Sequence, residues 1–230
     1  MKKNIWIVFF LFIFAFVVLF NKKLVEKYFT YKFSNWVEKK VIFDKFKFEY
    51  PNKISINSLK IKNSNPTYFD YIFEADQIDI DFDLKSFLFS ELVIINSLTI
   101  TKPSFFLELI EKKSNLNKSK AEEKNIIFED NIGVAKKINE NLPDKIWPTK
   151  KKDINFVILK SYLSNGTAFI RISSIADLSK IRLSNFEFGK TGNEEGYQHY
   201  KDVLRMMLFD IFAKVRNKDK KRILKEIYKF

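Results

Sequence analysis

Ile54-Ser-Ile-Asn-Ser-Leu-Lys-Ile-Lys62 and Val93-Ile-Ile-Asn-Ser-Leu-Thr-Ile-Thr101 are two versions of one pattern. Each alternates apolar and polar residues with period 2, which marks a half-buried β-strand. Each also carries Asn-Ser ahead of a Leu, and this dipeptide inserts a slip into the alternation. A one-residue slip turns every later side chain to the other face unless a bulge absorbs it. The same spacing, apolar-x-apolar-x-x-apolar-x-apolar, returns at Phe73/Ala75/Ile78/Ile80 and at Ile181/Leu183/Phe186/Phe188. Four occurrences predict bulged strands in a meander. Their irregular separation argues against a strict solenoid.

Alternation extends outward from these segments. Phe46, Phe48 and Tyr50 alternate with Lys45, Lys47 and Glu49, and Pro51-Asn52 is a turn signal. Asp76, Asp79, Asp81 and Asp83 sit between Ile78, Ile80, Phe82 and Leu84. Same-face strand residues stand about 7 Å apart, too far for most pairs to share a calcium ion. A solvated face matched to the lysines of Lys45/Lys47 or Lys60/Lys62 is the expected reading. A polar stretch from Glu111 to Asn125 reads as a surface insertion, and Ile126 to Leu142 as a helix ended by Pro143. β-pattern returns at Asp153–Tyr162. Ser164-Asn165-Gly166 signals a hairpin, with Thr167–Ser173 as the partner strand. A last helix starts near Tyr197, with an apolar stripe of Val203, Leu204, Met207, Leu208, Ile211 and Phe212.

Toward the N-terminus, Ile5 to Phe20 is an unbroken run of 16 apolar residues between Lys2-Lys3-Asn4 and Asn21-Lys22-Lys23. As a helix it reaches about 24 Å, short of a hydrocarbon core of about 30 Å. Flanking Lys and Asn can snorkel, and a bilayer can thin. No small-residue cleavage pattern follows the run, so it reads as an uncleaved signal anchor over residues 1–21. Residues 22–40 read as a juxtamembrane helix, lying on the membrane or packing under the sheet. Lysine counts on the two sides favour a cytoplasmic body, a rule that weakens for long translocated domains.

The chain has 230 residues, a net charge of +13, 26 Phe, 5 Gly and no Cys. It can fill a core, and it offers neither a disulfide nor a thiolate metal site. Lys214, Arg216, Lys218, Lys220, Lys221, Arg222, Lys225 and Lys229 meet only Asp219 and Glu226, so residues 214–230 read as a basic tail suited to an anionic surface. Ile223, Leu224 and Ile227 give that tail a small apolar stripe. The loop Gly189–Gly196 lacks phosphate-loop spacing, His199 is the lone His, and no nucleophile, metal or nucleic-acid motif is present. The expectation is therefore no enzyme, no cofactor, no metal site and no nucleic-acid partner. A chain tied to a membrane that then builds a repetitive apolar sheet points to lipid handling or envelope building.

The order of these motifs resembles the N-terminal module of AsmA-like envelope proteins. It runs anchor, short helix, Ile54–Asn63, the Asn65-Pro66-Thr-Tyr-Phe69 loop, the strand Ala75–Asp83, the turn Leu84–Phe89, and Leu92–Pro103. Asn165-Gly166 before a strand, Leu178–Gly189 and a closing helix continue the likeness more weakly. The Lys/Asn-rich insertion and the basic tail depart from it. The resemblance implies an α+β chain: a transmembrane helix, then a curved, mostly antiparallel sheet forming a half-barrel or groove, with a C-terminal helix. The β-domain would span 41–213, with an insertion at 111–150. It implies a single-pass inner-membrane protein with its body in the periplasm, related to bridge-like lipid carriers. Phe46, Phe48, Ile54, Ile56, Ile78, Ile80, Phe82, Val93 and Ile95 are the expected lipid-facing rows. A stack of about eight strands spans only about 40 Å, so lipid transport between membranes would require self-association or other envelope proteins. Two other readings remain: a non-transporting assembly subunit whose sheet edges pair with partners, and an anchored β-jellyroll bridge.

Overall fold

The computed structural model describes residues 22–37, 39–64, 68–90, 92–112, 127–131, 155–192 and 198–228. The expected anchor, 1–21, and most of the 111–150 insertion lie outside the described residues.

The described residues open with helix α1 (Lys22–Val37) and the strands β1 (Val41–Ile42), β2 (Lys45–Glu49), β3 (Lys53–Lys62) and β4 (Tyr71–Phe82). Next come a short helix α2 (Leu84–Phe89), β5 (Leu92–Thr101), β6 (Ser104–Lys112) and β7 (Ile127–Asp130). The rest is β8 (Asn155–Ile158), β9 (Ser161–Ser164), β10 (Thr167–Ile172), β11 (Ile175–Arg182), β12 (Phe186–Phe188), β13 (Thr191–Gly192), β14 (Gln198–His199), α3 (Tyr200–Lys214) and α4 (Lys218–Tyr228). All fourteen strands belong to one open, mostly antiparallel sheet. Both repeated segments are strands of it, β3 and β5, one on either side of β4.

The register shows that many short strands are pieces of a few long ribbons. Leu92 faces Asn155, Leu98 faces Ser161 and Ser104 faces Thr167, all parallel. The offset is a constant 63 residues (155 − 92, 161 − 98, 167 − 104). β5–β6 is thus one interrupted ribbon, and β8–β9–β10 lies beside it as another. β11, β12 and β13 then pair antiparallel with β10, β9 and β8 in turn.

The interruptions are aligned. Ser58, Lys102 and Asn165 hold left-handed φ values of 53°, 48° and 56°. Ser58 stands opposite Asp76, between the pairs Asn57↔Gln77 and Leu59↔Ala75. Asp76 in turn stands opposite Lys102, and Lys102 beside Asn165. All three left-handed residues therefore fall on one row across the sheet. A strand residue with such a φ breaks the alternation of side chains. On either side of the row the inward residues read Ile54, Ile56 then Leu59, Ile61 on β3, and Ile80, Ile78 then Ala75, Phe73 on β4. The recurrent x-x gap in the sequence is this row. In β5 the second Asn-Ser works differently: Asp81 pairs with Ser97 but Phe82 with Ile95, leaving Asn96 as the extra residue of a bulge.

Two expectations need correction. Asn165-Gly166 makes no hairpin: β9 and β10 do not pair with each other but run on in line along β5 and β6. A single left-handed Asn bends a strand, and the chain reverses instead at Ser173-Ser174, between the paired Ile172 and Ile175. Gly166 is needed for space: a Cβ there would meet Leu183 at 2.9 Å and Pro103 at 3.1 Å, its neighbours on the adjoining ribbons. Within the expected helix 126–142, Ile127–Asp130 is a strand, because it pairs with the Leu109–Lys112 end of β6. The basic tail docks on the protein itself. Lys218–Tyr228 is a helix packed on the sheet, with Lys220, Leu224 and Tyr228 on its buried side at i, i+4 and i+8.

Two apolar clusters cover one face of the sheet. The first joins Leu107, Leu109, Ile170, Ile172 and Ile181 to Leu208, Ile211, Phe212, Leu224 and Tyr228 of the two C-terminal helices. The second joins Ile54, Ile56, Leu59, Ala75 and Ile78 to Val41 and Phe46, with Phe29 and Phe33 of α1 against it. α1 ends where Ser34 turns back: its carbonyl accepts from Lys39 N at 3.2 Å and its hydroxyl from Val41 N at 2.9 Å.

Candidate lipid-facing surface and basic cleft

Residues directly opposite on neighbouring strands share a face. Phe46 faces Ile56, Phe48 faces Ile54, Ile54 faces Ile80, Ile56 faces Ile78, and Phe82 faces Ile95. Val93 lies two residues from Ile95. All nine expected lipid-facing residues therefore stand on one face, the face that carries both clusters. Their exposure differs. Phe46, Ile54, Ile56, Ile78 and Phe82 are buried, Ile80, Val93 and Ile95 are half-buried, and Phe48 is 46% exposed. Phe29 supplies much of the cover, stacked on Phe46 at 4.3 Å between ring centroids. Between the two clusters lies a half-buried strip of Ile80, Leu98, Ile100, Phe73 and Phe105. Phe73 and Phe105 bridge it across the ribbons, with ring centroids 5.2 Å apart.

The expected stripe of α3 faces the sheet. Leu208, Ile211 and Phe212 are buried, and Val203, Leu204 and Met207 are half-buried. Met206 and Phe209 are exposed.

The basic residues divide into two sets. Lys220 is fully buried and donates to the Asp177 carbonyl, to Asp177 Oδ2 at 3.1 Å and to Ser179 Oγ at 3.1 Å. It cannot contact an outside surface, which corrects its place among the expected surface cations. Lys214 donates to Asp210 at 2.8 Å, to Ser184 at 2.8 Å and to the Arg182 carbonyl at 3.2 Å. Burial raises the Asp210 carboxyl, but hydrogen bonds from Lys214 and Ser184 outweigh it and hold the group below its ordinary value. Two lysines thus occupy carbonyls of the edge strand β11, which blunts that edge against pairing. Lys218, Arg222 and Lys225 are exposed on α4 with Arg216 just before it, Lys221 is half-buried, and Lys229 lies outside the described residues.

A cleft of about 500 Å³ opens where α3 meets α4 along β11. Lys180, Arg182, Lys214 and Arg216 line it, with Ser179 and Asn217. Asp177 is the one carboxylate on its wall, and Lys220 already pairs with it. Asn217 also accepts from Lys220 N at 3.1 Å, capping α4 at the cleft. Sequence reading missed Lys180 and Arg182. Their signal is the alternation Lys180-Ile181-Arg182-Leu183, which sends the basic pair away from the apolar face.

Each of the four aspartates Asp76, Asp79, Asp81 and Asp83 has its own partner. Asp76 bridges Lys102 at 3.0 Å, Asp79 accepts from Ser55 at 2.6 Å, Asp81 accepts from Asn52 and Asn96, and Asp83 caps α2. Asp79 and Asp81 thus meet neutral side chains rather than the Lys45/Lys47 row, because β3 lies between β2 and β4 and sets Ser55 directly against Asp79, while Lys60 of the other expected row reaches Glu74 of β4 at 3.6 Å. Among the described residues no group of His, Asp or Glu is placed to hold a metal ion. No helix among them is long and apolar enough to cross a membrane. No family model matches this chain, and no curated protein or solved structure matches it either.

Proposed function

We propose that the chain is a membrane-anchored, AsmA-like envelope protein that handles lipid, with its body in the periplasm. Acyl chains lie along the half-buried strip Ile80/Leu98/Ile100/Phe73/Phe105, and the row of left-handed residues folds the sheet into a groove around them. The observation that carries this reading is an apolar face that continues from one cluster to the other through Ile100 beside Leu163 and Phe73 beside Phe105. Fully burying one such side chain contributes about 1.5–3 kcal/mol, so a strip left half-covered is a place where a ligand gains. Exposed Arg216 at the mouth of the basic cleft suits the phosphate of a head group. Lipid movement across the envelope then requires a larger assembly.

The competing assembly reading needs a free sheet edge. Lys214 and Lys220 occupy β11 carbonyls and disfavour pairing along that strand. A jellyroll would stack two sheets, whereas the described strands form one.

The test is photocrosslinking in membranes, with the crosslinker replacing Leu98 or Ile100 and, as a control, exposed Phe209. Capture of phospholipid at the strip but not at Phe209 supports the groove. A folded protein that yields no lipid adduct at either strip position overturns it.

A further inference from the structure

One end of the sheet exposes aromatic rings that no core requires. Tyr50 is 87% exposed, Phe89 82%, Phe87 54% and Phe48 46%. Tyr50 lies in the turn between β2 and β3, and Phe87 and Phe89 belong to α2. The two segments are neighbours, because Phe82 N donates to the Asn52 carbonyl at 3.0 Å. Phe82 is the buried root of the group, 5.2 Å from the Phe87 ring and 6.5 Å from Phe48. The short helix is firmly held. Asp83 accepts from Ser86 N, and the buried Ser86 hydroxyl accepts from Ile94 N at 2.9 Å. These rings are therefore presented on a fixed support.

Helix α1 begins at the same end. α1 lies antiparallel to the first strands: Ser34 meets Val41, and Phe29 stacks on Phe46. From Phe29 back to Lys22 the helix rises about 10 Å. From Phe46 on to Tyr50 the strand advances about 13 Å. Lys22 and Tyr50 thus reach the same level, and the apolar run Ile5–Phe20 joins the chain just before Lys22. Lys47, Lys53 and Lys85 are exposed within three residues of the rings in sequence, and Lys47 pairs with Glu49 at 2.6 Å.

We propose that Tyr50, Phe87 and Phe89 insert into the interfacial layer of the same bilayer that holds the run Ile5–Phe20. Aromatic rings favour that layer, and lysines beside them meet anionic head groups. The contact fixes the sheet against the membrane and presents one end of its apolar face to lipid. It rests on the anchor reading under Proposed function.

The absence of cysteine allows a test on the full chain. Single cysteines at Tyr50→Cys, Phe89→Cys, Phe14→Cys and the control Leu178→Cys carry an environment-sensitive fluorophore in liposomes of neutral and anionic phospholipid. Folding is checked by circular dichroism. The expected result is blue-shifted emission, lost on adding lipid with nitroxide-bearing acyl chains, at positions 14, 50 and 89, and aqueous emission at 178. Quenching at 14 with aqueous emission at 50 and 89 overturns the inference and leaves the anchor standing. Aqueous emission at 14 as well overturns both. A blue shift at 50 and 89 that nitroxide lipid does not quench means a protein cover, from a second copy or a partner, and also overturns it.

Discussion

Leu224 and Ile80 pack on the same face of the same sheet, yet only the first is sealed. Around Leu224 two helices bring an apolar stripe at helical spacing, and two polar anchors pin the second of them: Lys220 on Asp177 and Ser179, and Tyr228 on Asp130 at 2.8 Å. Around Ile80 the cover is one helix, with the rings of Phe29 and Phe33, and Ile80, Leu98 and Ile100 pack against that cluster while staying half-buried. The two halves use the same strand spacing. Their difference shows that a repeated face pattern specifies a sheet surface, while what lies on that surface is decided by whichever segments return to it. The less sealed half is the one to which the proposed lipid contact belongs.

The largest effect expected from this contrast is on stability. Leu224→Ala removes a fully buried side chain and should cost about 2–5 kcal/mol, whereas Ile80→Ala should cost about 1 kcal/mol. Urea unfolding of both variants checks the ranking, and equal losses would mean the N-terminal half is as well sealed as the other.

The next effect depends on pH. Burial, and then the neighbouring Asp130, push the Tyr228 hydroxyl well above its ordinary value. A group whose pKa is raised on folding contributes its stability in full below the unfolded value, about 10 for tyrosine, and loses it as pH rises toward the folded value. The C-terminal cover should therefore loosen above about pH 10. Tyr228→Phe should be less stable at pH 7, through the lost bond to Asp130, yet decline less steeply at alkaline pH. Parallel alkaline curves for the two proteins would remove Tyr228 from this role.

The smallest effect belongs to the row of left-handed residues. Lys102 pays a steric cost at φ 48° that glycine avoids. Its bridge to Asp76 is well exposed and contributes little. Lys102→Gly should therefore be neutral or stabilising by up to about 1 kcal/mol, while Lys102→Val should destabilise. A stable Val variant would show that the row is not held in this conformation.

Much of the sheet was legible because strand alternation is local. The slips at Ser58 and Asn96, the strands β3, β4 and β5, and the common face of Phe46, Ile56, Ile78 and Ile95 follow from period 2 with its interruptions. Long-range pairing was not. Asn165-Gly166 carries the same letters whether it reverses a chain or bends it. Only the 63-residue offset to β5–β6 selects the bend. Ile127–Asp130 has no strand signal of its own and is strand because β6 offers it an edge. Lys180 and Arg182 became part of a site only when α3 and α4 came to rest beside them.

By itself, the sequence determined that a β-chain with one apolar face follows an apolar N-terminal run, because alternation and run length depend on neighbouring residues alone. It also determined the basic, amphipathic character of the last residues. The tertiary structure decided that this last segment is a cover and not a free tail. Lys220, Leu224 and Tyr228 recur at one helix face, and only the sheet brings Asp177, Ser179 and Asp130 to meet that face. It likewise decided which half of the apolar surface stays accessible, since that depends on segments far apart in the chain arriving at one place.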